Sequence, residues 1–200
     1  MVNGSGGASW QAKRFWDGRG NVDPKEVIRF WFEEIRPSQW WAHDARFDSD
    51  IAKRFGTIHH AATRCELYQW REHPTGRLAE IIVLDQFSRN IYRDDARSFT
   101  FDPLALCLAQ QAVGVGADQA LPVNQRAFLY MPFMHSESPL IHDWAMKLFG
   151  ASGMQASLES ERKHKLIIDR FGRYPHRNRA LGRTSTPEEL DFLAREGSSL

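Results

Sequence analysis

The stretch LAEIIVLDQFSRNIYRDD, residues 78–95, joins a nearly continuous apolar run to a run of polar side chains. From Leu78 to Phe87 most positions are apolar, and Ile81 to Leu84 form four apolar residues in a row. A helix with this pattern is apolar on almost every face, which is typical of a helix at the centre of a bundle. The sequence therefore predicts a buried central helix at roughly residues 76–92.

The polar residues that end this helix share one face. Gln86, Arg89, Asn90 and Arg93 follow one another at helical spacing, and Asp85 can pair with Arg89 four residues later. One interpretation is structural, because arginine near a helix C-terminus stabilises the helix dipole and can tie the helix end to its neighbours. The other is a ligand site, and the structural interpretation is favoured. Buried polar groups need partners in both cases.

Signals for the start of a helix recur along the chain. A residue that can cap a helix precedes a proline four times, and proline suits the first helical position because its missing N–H would be unpaired there. These pairs are Asp23-Pro24, Asp102-Pro103, Ser138-Pro139 and Thr186-Pro187. No stretch alternates with period two between hairpin turns. The sequence predicts an all-α fold of about eight helices, at roughly 24–35, 49–71, 76–92, 103–113, 124–134, 139–149, 153–171 and 187–195.

The short connections between these helices favour antiparallel neighbours. No repeat of about 34 residues with the tetratricopeptide signature is present, so any helical repeat would be degenerate. We expect a single all-helical domain over residues 23–200. Residues 1–22 are rich in Gly, Ser and Asn, which predicts a flexible N-terminal extension.

Composition excludes several classes of protein. The chain has 200 residues, of which 42% are hydrophobic and 26% charged, as in ordinary globular domains. No apolar run approaches the roughly 18 residues that a membrane span needs, and the N-terminus does not resemble a signal peptide. We therefore expect no membrane contact and a cytoplasmic location. Cys65 and Cys107, among apolar neighbours, are predicted to be buried free thiols.

The net charge of +1 conceals an uneven distribution. Residues 162–183 hold eight Lys or Arg and one Asp, so this segment carries +7 and the remainder −6. Such a segment can meet an anionic partner, although internal salt bridges and solvated faces are commoner. Because the whole domain is near neutral, nucleic acid is an unlikely partner.

Two further motifs carry polar side chains. The stretch DRFGRYPHRNRALGR, residues 169–183, places arginines around Pro175. The planar guanidinium group of arginine binds carboxylate or phosphate with two hydrogen bonds. The segment could therefore form an anion site, or its arginines could pair with carboxylates of the same chain. The stretch YMPFMHSE, residues 130–137, ends with His135 and Glu137 at a helix end. A histidine beside a carboxylate can be a general base, a metal ligand or, most commonly, a histidine fixed by a hydrogen bond.

Metal and cofactor motifs are incomplete. Glu161-x-x-His164 is half of a di-iron carboxylate pattern whose other half is missing, and His-Glu-x-x-His is absent. No hydrolase elbow or phosphate-binding loop is present either. We predict neither a metal site nor a cofactor.

Several motifs together resemble a family of bacterial proteins known as domain of unknown function 924. They are VIRFWFEE (27–34), LDQFSRNIYRDDARSF (84–99), RAFLYMPFMHSE (126–137), RFGRYPHRNRALGR (170–183) and STPEELDFL (185–193). The resemblance implies an all-helical, tetratricopeptide-like array of helical hairpins with right-handed stacking, and no established activity. It also implies that Asp85–Arg93, His135–Glu137 and Arg173–Asn178 are signature segments.

Two functional hypotheses follow, and the sequence leaves open whether any reaction is catalysed. The first is a binding module that holds a small anionic ligand, a peptide or a protein partner. Its ligand-binding residues would be Asp85, Gln86, Arg89, Asn90, Arg93, Arg173, Arg177 and Asn178. The alternative is an enzyme that acts on a small anionic substrate through a His/Glu/Arg site. Its candidate catalytic residues are His135, Glu137 and His176, with Glu137 or Asp85 orienting the histidine.

Overall fold

A buried helix runs through the centre of the computed structural model, which describes residues 23–195. It begins as α3 (Pro74–Ile82), continues through a π-helical turn (Val83–Phe87) and ends as α4 (Ser88–Ile91). Every residue from Leu78 to Asn90 except Arg89 is buried. The central-helix prediction is confirmed, and the π-helical turn is an addition that the apolar pattern did not indicate.

The other helices are also close to their predicted positions. They are α1 (Pro24–Arg29, extended by the π-helical turn Phe30–Glu34), α2 (Ala45–Thr63), α5 (Asp102–Gly114), α6 (Val123–Met134), α7 (Pro139–Phe149), α8 (Gln155–Phe171) and α9 (Pro187–Leu193). Short 3-10 turns at Pro37–Gln39, Tyr68–Glu72, Ala96–Ser98, Ala117–Ala120 and Pro175–Arg177 lie between them. Residues 23–195 contain no strand. The all-α prediction of about eight helices is confirmed when α3 and α4 count as one, and the tetratricopeptide-like arrangement stays a prediction.

The core forms around the central helix. Helices α1, α2, α5 and α6 all contact it, and α6, α7 and α8 pack on one another in chain order. Aromatic side chains fill the centre, with the ring of Phe87 4.9 Å from that of Phe55 and 5.6 Å from that of Trp31. A second, smaller cluster unites Ile167, Ile168 and Tyr174 with the last helix. In the described part of the chain, no helix has both the length and the apolar content to cross a bilayer.

Helix caps explain some of the boundaries. Asp23 and Thr186 cap α1 and α9 as predicted, and Gly172 ends α8 with a φ of +67°. Asp102 was predicted to cap α5, and this is wrong, because Phe101 is the capping residue and Asp102 is the first residue of the helix. The side chain of Asp102 is therefore available for other partners.

Both cysteines are exposed, so their predicted burial is wrong. Cys65 follows the end of α2 and has a φ of +58°, in a reversal of the chain that the predicted helix at 49–71 did not include. Cys107 lies on α5, whose buried face is formed by Ala105, Leu108, Ala109 and Ala112. The predicted N-terminal extension, residues 1–22, and residues 196–200 lie outside the described residues.

Gly76 is the glycine on which the entry into the central helix depends. A Cβ atom there would lie 2.1 Å from the carbonyl oxygen of Trp70, which is backbone and cannot move aside cheaply. We expect Gly76→Ala to destabilise the protein by about 1–3 kcal/mol in urea unfolding. Gly56→Ala is the matched control, because a Cβ there meets nothing within 4 Å and should stabilise α2 by about 0.5–1 kcal/mol. Equal effects of the two substitutions would contradict this packing.

Candidate functional site

An aspartate–histidine pair lies where the central helix meets the end of α6. The π-helical turn carries Asp85, whose side chain is buried, and His135 is the residue that ends α6. The Nδ1 atom of His135 lies 2.7 Å from Oδ1 of Asp85. Gln86 donates to the other carboxylate oxygen at 2.5 Å. π-Helical turns occur frequently at functional sites, and this one places a carboxylate against an imidazole.

Three successive carbonyl groups hold His135 in position. The last carbonyls of a helix have no partner within the helix. Here the Tyr174 hydroxyl donates to the Met134 carbonyl at 2.6 Å, and Arg177 Nη2 donates to the His135 carbonyl at 3.0 Å. His142 Nε2 lies 2.8 Å from the Ser136 carbonyl. The backbone on both sides of His135 is therefore fixed by side chains from other parts of the chain.

Asp102 joins two arginines that are far apart in sequence. Arg89 reaches its two oxygens from Nη1 and Nη2, each at 3.0 Å, and Arg177 Nη1 lies 3.2 Å from Oδ2. Arg89 Nη1 also lies 3.0 Å from Oδ1 of Asp85. We call Asp85, Arg89, Asp102, His135 and Arg177 the polar cluster. The predicted ion pair between Asp85 and Arg89 is thus confirmed, and both arginines also bind Asp102.

The guanidinium group of Arg177 is enclosed by aromatic rings. Its central carbon lies 4.7 Å from the ring centroid of Phe99 and 4.5 Å from that of Tyr174. Within residues 23–195, two buried nitrogens here lack a hydrogen-bond partner, Arg177 Nε and His176 Nδ1. Buried nitrogens in this state are uncommon in folded proteins.

Burial and charge together set the protonation of the cluster. Burial alone would raise the pKa of Asp85, but the charge of Arg89 and the contact with His135 lower it below its usual value. Burial lowers the pKa of His135, and the charge of Arg89 lowers it further. Near pH 7 the pair is therefore a carboxylate and a neutral imidazole. Burial and then Arg177 lower the pKa of His176 to about 4.

The tautomer of His135 follows from its partner. Nδ1 carries the proton because it faces the ionised Asp85, which leaves the lone pair on Nε2. No side chain or carbonyl of the described residues lies within hydrogen-bond distance of that atom, and the His135 side chain is 13% exposed. An imidazole oriented by a carboxylate with its second nitrogen free is the arrangement of a general base.

Several predicted site residues form a separate network. Arg183 binds Glu137 through Nη1 and Nη2 at 2.7 and 2.9 Å, and its Nε donates to Asn178. Arg173 binds Glu189 at 2.6 and 2.8 Å, and Asn178 donates to the same glutamate. Glu137, Arg173 and Asn178 therefore fasten the segment that leads to α9, and Glu137 does not contact His135.

Asn90 and Arg93 form the third group. Both donate to Asp48 on α2, Asn90 at 2.8 Å and Arg93 at 2.6 and 2.8 Å. They tie the end of α4 to α2, which is the structural role that the sequence favoured. Of the predicted residues, Asp85, Gln86, Arg89, His135 and Arg177 converge, and His176 adjoins them.

Sequence reasoning missed Asp102, Tyr174 and His142 as parts of this site. Asp102 precedes a proline, so the sequence suggested a helix cap. Tyr174 lies within the Arg-Tyr-Pro-His-Arg motif, and its position between predicted site residues could have identified it. His142 lies on α7, outside the polar motifs of the sequence. In the described residues, no group of three or more His, Cys, Asp or Glu side chains is arranged to hold a metal ion.

Comparison with known proteins assigns the chain to a family. Residues 27–197 match the family described as bacterial protein of unknown function (DUF924), and the chain belongs to it. The protein is similar to a solved structure described as a protein of unknown function, ATU0120, from Agrobacterium tumefaciens. The two share 38% sequence identity with a TM-score of 0.82, over 86% of this chain and 96% of the other. A comparison with curated proteins gives no match.

The Tyr174 hydroxyl gives a direct test of how His135 is held. We expect Tyr174→Phe to destabilise the protein by about 1–3 kcal/mol, because the buried Met134 carbonyl loses its donor. Tyr68→Phe is the matched control, since Tyr68 is 47% exposed and a surface change of this kind stays within about 0.5 kcal/mol. Urea unfolding measures both. A Tyr174→Phe variant as stable as its control would show that the carbonyl does not need the hydroxyl.

Proposed function

We propose that the protein binds a small anionic ligand at the polar cluster. The observation that carries the proposal is Arg177, a buried arginine whose Nε has no acceptor among the described residues. A buried donor without an acceptor costs about 1–3 kcal/mol, and a ligand oxygen admitted to that position by a shift of the neighbouring side chains would recover this energy. His176 Nδ1, also without a partner, lies on the adjacent residue.

The composition of the cluster supports an anion. Arg89 and Arg177 share the single carboxylate of Asp102, and Arg89 also shares Asp85 with His135. Each carboxylate therefore serves more than one donor. A carboxylate or phosphate group of a ligand would add acceptors where the donors outnumber them, and arginine forks match both groups.

Exposure indicates the size of the ligand. The side chains of Arg89, Asp102 and His135 are 22%, 14% and 13% exposed, so each presents only a narrow surface. A small anion can reach such a surface, whereas a peptide contacts a wider one. The proposal is therefore a small molecule, and a peptide or protein partner becomes an alternative outcome of its test.

The test is a thermal-shift panel on the full-length protein with inorganic phosphate, succinate, a hexose phosphate and AMP. A ligand at about a hundred times its dissociation constant adds roughly 2.7 kcal/mol, and each kcal/mol raises the midpoint by about 2–4 °C in a chain of this size. We expect at least one anion to raise the midpoint. A flat panel would contradict binding of small anions and favour a macromolecular partner.

Arg89→Met should abolish that shift, because it removes the fork that faces Asp102 and leaves a side chain of similar length. Arg93→Met is the matched control, since Arg93 lies one turn later and also donates two hydrogen bonds to an aspartate, Asp48. We expect the control to keep the ligand shift whatever stability it loses. Equal loss of the shift in both variants would contradict the position of the site.

A second candidate function is catalysis on the bound anion, and the Asp85–His135 pair favours it. A neutral imidazole oriented by a buried carboxylate can accept a proton at Nε2. We expect turnover of p-nitrophenyl phosphate, or of the anion that the panel identifies, to disappear in His135→Gln while the thermal shift persists. Because the pKa of His135 is lowered, the rate should be flat near pH 7 and fall only at more acidic pH. Turnover unchanged in His135→Gln would contradict this function.

A further inference from the structure

A second buried pair of titratable side chains lies beside the polar cluster, on α7 and α8. His142 and Glu161 are both fully buried, and Nδ1 of the histidine lies 2.6 Å from Oε1 of the glutamate. Two atoms at this distance need a proton between them. The question is which of the two side chains supplies it.

The other nitrogen of His142 limits the possible answers. Nε2 lies 2.8 Å from the Ser136 carbonyl, which can only accept a hydrogen bond, so Nε2 carries a proton. It also lies 3.2 Å from the Tyr174 hydroxyl, whose own proton goes to the Met134 carbonyl. Two arrangements fit these contacts. In one, an imidazolium also donates from Nδ1 to a Glu161 carboxylate; in the other, the ring has one proton, on Nε2, and Nδ1 accepts from a protonated Glu161. The surroundings of Glu161 distinguish them.

The surroundings of Glu161 favour its neutral form. Oε2 is buried and has no partner among the described residues, and burial raises the pKa of this carboxyl. The nearby cation, Lys165, binds Asp143 at 3.1 Å and Asp169 at 2.9 Å. An ionised Glu161 would leave a charged oxygen unpaired in the interior, which is costly.

The other titratable groups near the pair add no compensating charge. Burial holds the pKa of His164 at about 3 and raises that of Tyr174, so both are neutral. His135, from α6, is neutral as well because its pKa is lowered. Arg177 lies over the Tyr174 ring and is bound to Asp102.

We propose that Glu161 is a protonated carboxylic acid at neutral pH, that it donates to His142 Nδ1, and that this proton controls the position of His135. The control acts through the carbonyls on either side of His135. Met134 and Ser136 are held by Tyr174 and His142, the two residues that share the hydrogen-bond chain with Glu161.

Loss of the proton reverses the chain of donors. Glu161 releases its proton to solvent and becomes an acceptor, so the remaining ring proton of His142 moves from Nε2 to Nδ1. Nε2 then faces the Ser136 carbonyl as a second acceptor and draws the Tyr174 hydroxyl away from Met134. Both carbonyls beside His135 lose their donors. The consequence for ligand binding rests on the function proposed above, whereas the proton assignment does not.

The first test is nitrogen NMR of the full-length protein, labelled with 15N in its histidine side chains and without ligand. At pH 7 we expect His142 to carry one ring proton, on Nε2. A proton on Nδ1, alone or together with one on Nε2, would overturn the assignment. This measurement needs no variant and stands whether or not the polar cluster binds an anion.

The second test follows unfolding against pH in Glu161→Gln, whose amide can donate to Nδ1 as the carboxylic acid does. The direction of the pH dependence follows from the number of protons bound in the folded and unfolded states. Above pH of about 6.5 an unfolded pair is a carboxylate and a neutral imidazole, whereas the folded pair keeps one more proton. The unfolding constant of the wild type should therefore rise, relative to that of the variant, about tenfold per pH unit until the folded protein releases the proton.

Glu159→Gln is the matched control, because Glu159 lies on the same helix with a side chain 56% exposed. The control should follow the wild-type pH profile. Parallel profiles of the wild type and Glu161→Gln would overturn the proposal, and if Glu161→Gln does not fold, the NMR assignment of the wild type decides.

The control of His135 by the Glu161 proton is tested by a separate measurement. The ring signals of His135 should shift at alkaline pH with the midpoint at which Glu161 releases its proton, and they should stay constant over that range in Glu161→Gln. Constant His135 signals in the wild type through that midpoint would overturn the control of His135 by Glu161.

Discussion

The buried charge of Asp85 is the constraint around which the rest of the structure is arranged. A carboxylate at the centre of an apolar helix is costly unless charges and donors surround it. Arg89 supplies the charge, and Gln86 and His135 supply the contacts. Arg89 needs a second carboxylate because it is itself enclosed, which brings in Asp102 and, through it, Arg177 from the far end of the chain. One buried charge thus connects the central helix to α5, α6 and the turn after α8.

The end of α6 shows how the fold positions a side chain through the backbone that carries it. The carbonyls of Met134, His135 and Ser136 would be unpaired at a helix terminus, and three side chains from later in the sequence occupy them. These bonds fix the backbone that carries His135, so its ring meets Asp85 in one orientation. The same bonds connect that backbone to the His142–Glu161 pair, because Tyr174 and His142 take part in both.

Local pattern predicted the helices well and the site only in part. The apolar run from Leu78 to Phe87 requires a buried helix whatever surrounds it, and the caps at Asp23 and Thr186 act within one turn of chain. Asp102 was misinterpreted because its partners lie 13 and 75 residues away, and a capping position offers no sign of them. The predicted arginines separated into three networks for the same reason. Which carboxylate an arginine meets is decided by helix packing, and the sequence does not contain that information in local form.

Side-chain NMR tests most directly the proposal that Arg177 and His135 together bind a small anion. The full-length protein, labelled with 15N in its arginine and histidine side chains, would be titrated with inorganic phosphate and with succinate. We expect the Arg177 Nε–H and His135 Nε2 signals to shift together and saturate, while the signals of Arg93 and Arg173 stay unchanged. Unchanged Arg177 signals at saturating anion, or equal shifts in all four residues, would contradict it.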